Sequence, residues 1–361
     1  MKRPSPKAGP AIRVLVVDDS ALVRQVLTAL LTAEPGFEVV CAHDPIIALQ
    51  KMERSRPDVV ILDLEMPRMD GLTFLRKIMA EDPLPVVVCS AHTGKGTDAA
   101  LRALEEGAVD VLAKPRLGVK DFLWESSLLF LDAVRAAAEA GRSRKRPRAK
   151  PAATPRPAVR PAPGITAAAA ADRLIAIGAS TGGTEALREV LQAMPVDAPG
   201  IVVVQHMPEG FTRAFADRLD QICAIEVKEA AAGDEVRPGR ALVAPGDQHL
   251  RVKRSGGRFL VELDREPLVS RHRPSVDVLF RSVAAAAGAR AVGVIMTGMG
   301  ADGAEGLLEM KRAGASTIAQ DEASCIVFGM PREAIALGAA DEVVPLYRMR
   351  EAILRRVSAL A

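Results

Sequence analysis

Five times between residues 12 and 140 a short apolar run gives way to a polar residue and then to an amphipathic stretch, a rhythm that leaves few folds open. The runs are Ile12–Val17, Phe37–Cys41, Val59–Leu62, Val86–Cys89 and Val109–Leu112; helical patterns fall near 21–33, 46–55, 72–80, 97–106 and 119–140. Runs that are apolar throughout suit strands covered on both faces, as in a parallel sheet. Strands that alternate with helices are the mark of βαβ units. A composition 49% hydrophobic but only 3% aromatic, dominated by Ala, Val, Leu and Ile, favours Ala-rich helices on parallel strands over an all-β sandwich. The expected fold is α/β, a doubly wound parallel sheet whose site lies at the carboxyl ends of its strands.

The rhythm breaks and then resumes. Residues 142–163 are rich in Pro, Ala and Arg without periodicity, a linker by composition. Residues 142–160 hold eight Lys and Arg and no acid, and taking those eight from the formal +3 leaves the rest of the chain at −5. Basic character therefore belongs to one segment. Without interleaved aromatics or a groove-reading motif, that segment reads as a solvated spacer, and no nucleic-acid partner is expected. Length allows two cores, and the expected division is 11–134, a spacer over 135–170, and a second domain over 171–361. Cys41, Cys89, Cys223 and Cys325 lack C-x-x-C spacing and read as reduced thiols of a cytoplasmic protein. No run approaches the ~18 apolar residues of a membrane span, so no membrane insertion is expected, and a monomer is expected.

In the first domain polar residues stand at the strand ends: Asp18 and Asp19, Asp63, Ser90, and Lys114. Asp18 and Asp63 as N-caps of the helices that follow is the plain reading. Three carboxylates with a lysine and a hydroxyl at successive strand ends point instead to a crevice that holds a cation, since like charges at close range do not all stay ionised alone. A hard oxygen set suits Mg²⁺. Val14-Leu15-Val16-Val17-Asp18-Asp19-Ser20, Leu62-Asp63-Leu64-Glu65-Met66-Pro67-Arg68-Met69-Asp70-Gly71 and Lys114-Pro115 resemble the receiver domain of bacterial response regulators. The resemblance implies a flavodoxin-like (βα)5 fold and phosphorylation of Asp63 by a histidine kinase, with Asp18, Asp19 and Asp63 holding Mg²⁺. It also implies that Ser90 and Lys114 contact the acyl phosphate and that the Lys114–Pro115 bond is cis. Val111 stands where receivers usually carry an aromatic, so signalling through a ring flip is not expected.

In the second domain Leu174–Ile177, Ile201–Val204 and Val292–Met296 read as buried parallel strands. The first ends in Gly178-Ala179-Ser180-Thr181-Gly182, the pattern G-x-S-x-G, in which small neighbours let a serine hydroxyl stand clear of the backbone. The second ends in Gln205-His206, the third in Thr297-Gly298-Met299-Gly300-Ala301-Asp302. Nucleophile, base and orienting carboxylate at three strand ends are the parts of a catalytic triad. Singly, each has a plainer reading: Ser180 bonding its helix N-terminus, His206 half-buried, Asp302 a cap. His249 competes as base but looks like part of a turn before a strand. Arg271-His272-Arg273 looks too charged for a neutral imidazole, which leaves His272 as a substrate contact only. The glycine-rich turn also admits nucleotide binding, but the following strand ends in Gln205-His206 without the acid a ribose needs. A purely scaffolding output domain leaves the three residues unexplained.

Ile177-Gly178-Ala179-Ser180-Thr181-Gly182-Gly183, Gln205-His206-Met207-Pro208, Arg273-Pro274-Ser275-Val276-Asp277, Thr297-Gly298-Met299-Gly300-Ala301-Asp302-Gly303 and Gln320-Asp321-Glu322-Ala323-Ser324 are similar to the chemotaxis protein-glutamate methylesterases (CheB family), over roughly 172–346. That resemblance implies a three-layer α/β/α hydrolase domain with the triad Ser180, His206 and Asp302. It implies hydrolysis of glutamate γ-methyl esters on methyl-accepting chemoreceptors, and deamidation of selected receptor glutamines, without a cofactor. Amides near Thr181 and Met299 are the expected oxyanion donors.

Overall fold

The computed structural model describes residues 11–90, 95–114, 120–144 and 170–360. They fall into two compact units, Met1–Arg146 and Pro147–Ala361. In the first, β1 (Ile12–Val17), α1 (Ala21–Thr32), β2 (Phe37–Ala42), α2 (Pro45–Arg54), β3 (Val59–Leu62), α3 (Gly71–Glu81), β4 (Val86–Ser90), α4 (Lys95–Glu105), β5 (Asp110–Ala113) and α5 (Lys120–Arg144) alternate as expected. The five strands form one parallel sheet in the order β2-β1-β3-β4-β5. The order reverses between β1 and β3, which opens a crevice at their carboxyl ends. β3 and β4 are buried along their whole length, as strands covered on both faces must be.

The expected boundary at 134 is corrected. α5 runs to Arg144, so residues 135–144 are the end of the first unit rather than the start of a spacer. Ala136, Ala137, Ala138 and Ala140 are all buried, and side chains this small let the helix lie close to its neighbours. The rest of the expected spacer, 145–169, and the Lys114–Pro115 bond lie outside the described residues.

The second unit runs β6 (Leu174–Ala179), α6 (Gly183–Gln192), β7 (Gly200–Gln205), α7 (Phe211–Asp220), β8 (Glu226–Glu229), β9 (Glu235–Val236), β10 (Arg240–Val243), β11 (His249–Ser255), β12 (Arg258–Asp264), α8 (Val276–Ala287), β13 (Ala291–Ile295), α9 (Ala304–Arg312), β14 (Ser316–Gln320), α10 (Met330–Ala336), β15 (Glu342–Val344) and α11 (Leu346–Ala359). Seven parallel strands in the order β15-β14-β13-β6-β7-β10-β8 form its main sheet. β6 carries one set of alternate residues, Leu174 and Ala176, into a core shared with Val276, Leu279, Phe280 and Val283 of α8. α6 and α11 pack together and on β6 and β13.

A small antiparallel sheet, β11-β12-β9, is an addition to the doubly wound plan. β11 and β12 pair from His249↔Asp264 to Ser255↔Arg258 around Gly256 and Gly257, whose φ values of 56° and 81° are those of a two-residue hairpin turn that favours glycine. Its buried face, with Leu250, Val252, Phe259 and Val261, joins the core under α8, and the Val252 amide donates to Ser282 Oγ at 2.9 Å. The hairpin thus braces the helix whose N-terminus meets the site.

Candidate active site

Ser180, His206 and Asp302 all stand at the carboxyl edge of the seven-stranded sheet. β6 pairs with β7 through Gly178↔Val204 and Ala179↔Gln205, and the next step of that register sets Ser180 opposite His206; the His206 amide donates to the Ala179 carbonyl at 3.1 Å. β13 flanks β6 on its other side, and the chain leaves these neighbours in opposite directions, the switch point where such sheets place their sites. The Ser180 amide donates to the Thr297 carbonyl at 3.0 Å, and a Cβ on Gly298 would stand 2.6 Å from that of Ser180. Only glycine fits so close a strand end. The Ser180 carbonyl accepts from the Gly183 amide at 2.7 Å and from Gln205 Nε2 at 2.9 Å, and Gln205 Nε2 also reaches the His206 carbonyl at 3.1 Å. One buried amide, which sequence reading missed, therefore ties the serine turn to the histidine turn.

The plainer readings of the three residues fare differently. Gly182, not Ser180, is the N-cap of α6, with no side-chain cap bond. Asp302 does meet a helix N-terminus, but that of α8 rather than of α9, which it precedes. Its Oδ1 accepts from Ser275 Oγ at 2.7 Å and the Asp277 amide at 3.1 Å, its Oδ2 from the Val276 amide at 2.7 Å. The same Oδ2 lies 2.8 Å from His206 Nε2. Burial pushes the Asp302 carboxyl up, but the bond to His206, the two nearby imidazoles and the Ser275 hydroxyl together hold it below the ordinary range. An ionised carboxylate only accepts, so Nε2 of His206 carries a proton, and in the neutral ring Nδ1 then holds the lone pair. Nδ1 is buried and has no hydrogen-bond partner among the described residues, so base and carboxylate are joined while the bond from Ser180 is not made. Such bonds are often long before substrate binds.

His249 is excluded as a base, because its ring is spent on structure: Nδ1 accepts from the Ser275 amide at 3.2 Å and Nε2 meets the Pro267 carbonyl at 3.1 Å. The expectation for His272 is corrected. Burial first, then His206 and Arg271, bring its pKa down to about 3 against an opposing Asp302. Neighbouring cations favour the neutral ring rather than oppose it. Thr181 is buried and Met299 half-buried beside the serine turn.

In the first unit neither carboxylate caps a helix, since Ser20 caps α1 and Asp70 caps α3. Asp18 and Asp63 are buried and Asp19 exposed, with an oxygen of each within 4.8 Å of the others. Lys114 Nζ lies 2.6 Å from Asp63 Oδ2 and 3.1 Å from Asp18 Oδ2, and the Lys114 amide donates to the Ser90 carbonyl at 2.9 Å. Burial, and then Asp18, push the Asp63 carboxyl up against the pull of Lys114. Burial depresses Lys114, but Asp63 and Asp18 more than offset it and raise it. Three carboxylates that each bring an oxygen within 4.8 Å of the others, an all-oxygen set with Lys114 against two of them, fit a hard divalent cation. Val111 is buried in β5.

A receiver sheet with this crevice, followed by an α/β unit with a hydroxyl, an imidazole and a carboxylate at its switch point, defines a response regulator with an enzymatic output domain. The profile of the response regulator receiver domain matches residues 14–119, and that of CheB methylesterase matches 175–353. The chain is 60% identical over 98% of its length to protein-glutamate methylesterase/protein-glutamine glutaminase 5 of Anaeromyxobacter dehalogenans, 98% of which is covered. To protein-glutamate methylesterase/protein-glutamine glutaminase 3 of Geobacter metallireducens it is 56% identical, with 95% of this chain and 98% of that one covered. The crystal structure of the Thermotoga maritima CheB methylesterase catalytic domain is similar at 41% identity and a TM-score of 0.50, covering 51% of this chain and 97% of that one. The chain belongs to the protein-glutamate methylesterase/protein-glutamine glutaminase family. No helix among the described residues is long and apolar enough to cross a membrane.

Proposed function

We propose that this chain hydrolyses glutamate γ-methyl esters on methyl-accepting chemoreceptors and deamidates receptor glutamines, with Ser180 as nucleophile, His206 as general base and Asp302 as the group that orients it. One observation carries the mechanism: the bond from His206 Nε2 to Asp302 leaves Nδ1, buried and without a partner among the described residues, as the acceptor on the strand end opposite Ser180. Ser180 Oγ attacks the γ-carbonyl carbon while its proton passes to Nδ1. The C–O or C–N bond then breaks, and the proton leaves with methanol or ammonia. Water attacks the acyl-serine, Nδ1 takes its proton and returns it to Oγ, and glutamate departs. Ester and primary amide share a tetrahedral oxyanion, so one set of donors serves both; the amides of Thr181 and Met299 are the assigned pair. Purified chain should release methanol from methylated receptor and convert receptor glutamine to glutamate. Neither product, in the presence of a phosphodonor, would overturn the assignment.

Regulation follows from the first unit. Asp63 takes a phosphoryl group from a phosphohistidine of a chemotaxis-type kinase: its carboxylate oxygen bonds to phosphorus as the N–P bond breaks. Asp18, Asp19 and Asp63 would hold Mg²⁺, which when bound offsets charge on the transferring oxygens. Lys114, already 2.6 Å from Asp63 Oδ2, stays to pair with the acyl phosphate, and Ser90 at the end of β4 donates to it. Asp63→Asn should take up no label from a small phosphodonor with Mg²⁺, and its esterase rate should not rise with that donor. Label retained on the variant would move the acceptor elsewhere.

A further inference from the structure

The imidazole of His206 has a second neighbour that the hydrolysis scheme leaves unused. His272 lies flat against it, ring centroids 3.7 Å apart and planes 6° from parallel. His206, His272 and Asp302 do offer three donor atoms within 4.8 Å, the number a metal site needs. The stack opposes that use, because the lone pairs of two parallel rings run side by side and do not converge on one ion. His206 Nε2 is also committed to Asp302, and His272 Nδ1 lies 2.7 Å from the Ser270 carbonyl, to which it donates.

We propose that His272 is a positioning residue, an uncharged aromatic face that fixes the ring plane of His206 and stabilises it once it takes the serine proton. This rests on the reading of His206 as general base. Among the described residues one side-chain hydrogen bond, Nε2 to Asp302, sets one end of the ring but leaves it free to swing about that bond. Swinging carries Nδ1 away from Ser180. A second ring packed flat on the first removes that freedom, and a neutral π face attracts the imidazolium that forms in the reaction.

The chain goes to some length to hold His272 there. Val269 and His272 exchange backbone bonds of 3.2 and 2.9 Å across Ser270 and Arg271, which lie at φ 51° and 67°, left-handed conformations without glycine. Such residues persist where the surroundings over-determine them, and they cluster at functional sites. On the far side Arg273 is locked by Nε and Nη2 to Asp247 Oδ1 at 3.0 and 2.7 Å and by Nη1 to the Glu266 carbonyl at 3.0 Å. The charged groups that face the stacked pair are Asp302 and Arg271, with Asp277 reached through the Ser270 hydroxyl at 3.4 Å. Burial, His206 and Arg271 bring the His272 pKa down to about 3 against the opposing pull of Asp302, so the stacked face is uncharged in the working range of a histidine base.

The test uses the full chain on methylated receptor, with kcat, KM and the acid limb of the kcat/KM profile measured for His272→Phe, His272→Leu and His272→Lys beside Ser180→Ala. Phe keeps a flat neutral face and should stay within about 3-fold of the parent, whereas Leu fills the volume without the face and should lose roughly 10- to 100-fold in kcat at little changed KM, as small misplacements of a reacting group do. Lys adds a cation against the base and should move the acid limb to lower pH. If Phe and Leu are equal and the acid limb of Lys is unmoved, the proposal is overturned. A rise in KM at constant kcat overturns it too and makes His272 a substrate contact. If Ser180→Ala retains turnover, the triad reading fails; a dead Ser180→Ala with an indifferent His272 series sinks only the positioning role.

Discussion

Ser180→Ala should leave the fold intact and lower turnover on methylated receptor by about 10⁶-fold, the scale seen when the nucleophile of a serine triad is removed. The fold is expected to survive because the hydroxyl caps no helix among the described residues, and the turn it stands on is held by backbone bonds to Thr297 and Gly183 and by the Gln205 amide. A substitution away from structural features usually falls within about 0.5 kcal/mol, so the thermal midpoints of variant and parent should coincide. Deamidation should fall in parallel with demethylation, since both pass through one acyl-serine. A variant that keeps either activity would separate the two reactions or remove Ser180 from both.

Most of the architecture was legible because parallel strands buried on both faces leave uninterrupted apolar runs, and β1, β3, β4, β6, β7 and β13 stand within about two residues of the runs that announce them. The small antiparallel sheet was harder to see. β11 and β12 are half-exposed, carry Arg251, Lys253, Arg254 and Glu262, and are marked chiefly by the glycine pair between them. α5 outran its expected end because its last three residues, Arg142-Ser143-Arg144, share the basic composition of the segment that follows, and composition does not mark where packing stops. Ser180, His206 and Asp302 were legible as strand-end residues, and the structure places them on one edge of one sheet. The tie made by Gln205 and the stacking of His272 were not, though both residues stood out in the sequence. The first looks like the last residue of a strand, and its bond to the Ser180 carbonyl depends on strand order; the second sits in a charged tripeptide, and its stacking depends on a turn from another part of the chain.

Asp302→Asn is the sharper test of the mechanism, because Asp302 has a complete structural role alongside the proposed catalytic one. Its carboxylate receives four donors, Ser275 Oγ, the Val276 and Asp277 amides and His206 Nε2, and the first three belong to the N-terminus of α8, where a negative charge is favoured. An amide has one oxygen. If the nitrogen replaces Oδ2 it faces the Val276 N–H and forces His206 to accept, which moves the ring proton onto Nδ1 and removes the base. If it replaces Oδ1 it faces the Asp277 N–H, the ring keeps its tautomer, and the imidazolium formed during attack still loses its counter-charge in a buried site. Either orientation should cost about 10⁴-fold in kcat, the scale for the orienting carboxylate of a triad, and roughly 1.5–3 kcal/mol of stability for one lost bond to a charged group. The stability change should depend on pH in a defined direction. The Asp302 carboxyl is held below its ordinary value of ~3.9, so its contribution is present above that pH and is lost as pH falls through the lower folded value. The parent should therefore lose its advantage over Asp302→Asn in acid, as followed by denaturant unfolding across pH. A variant that is destabilised as expected but turns over at the parental rate would leave Asp302 as a ligand of the α8 N-terminus alone and assign the orientation of His206 to another group.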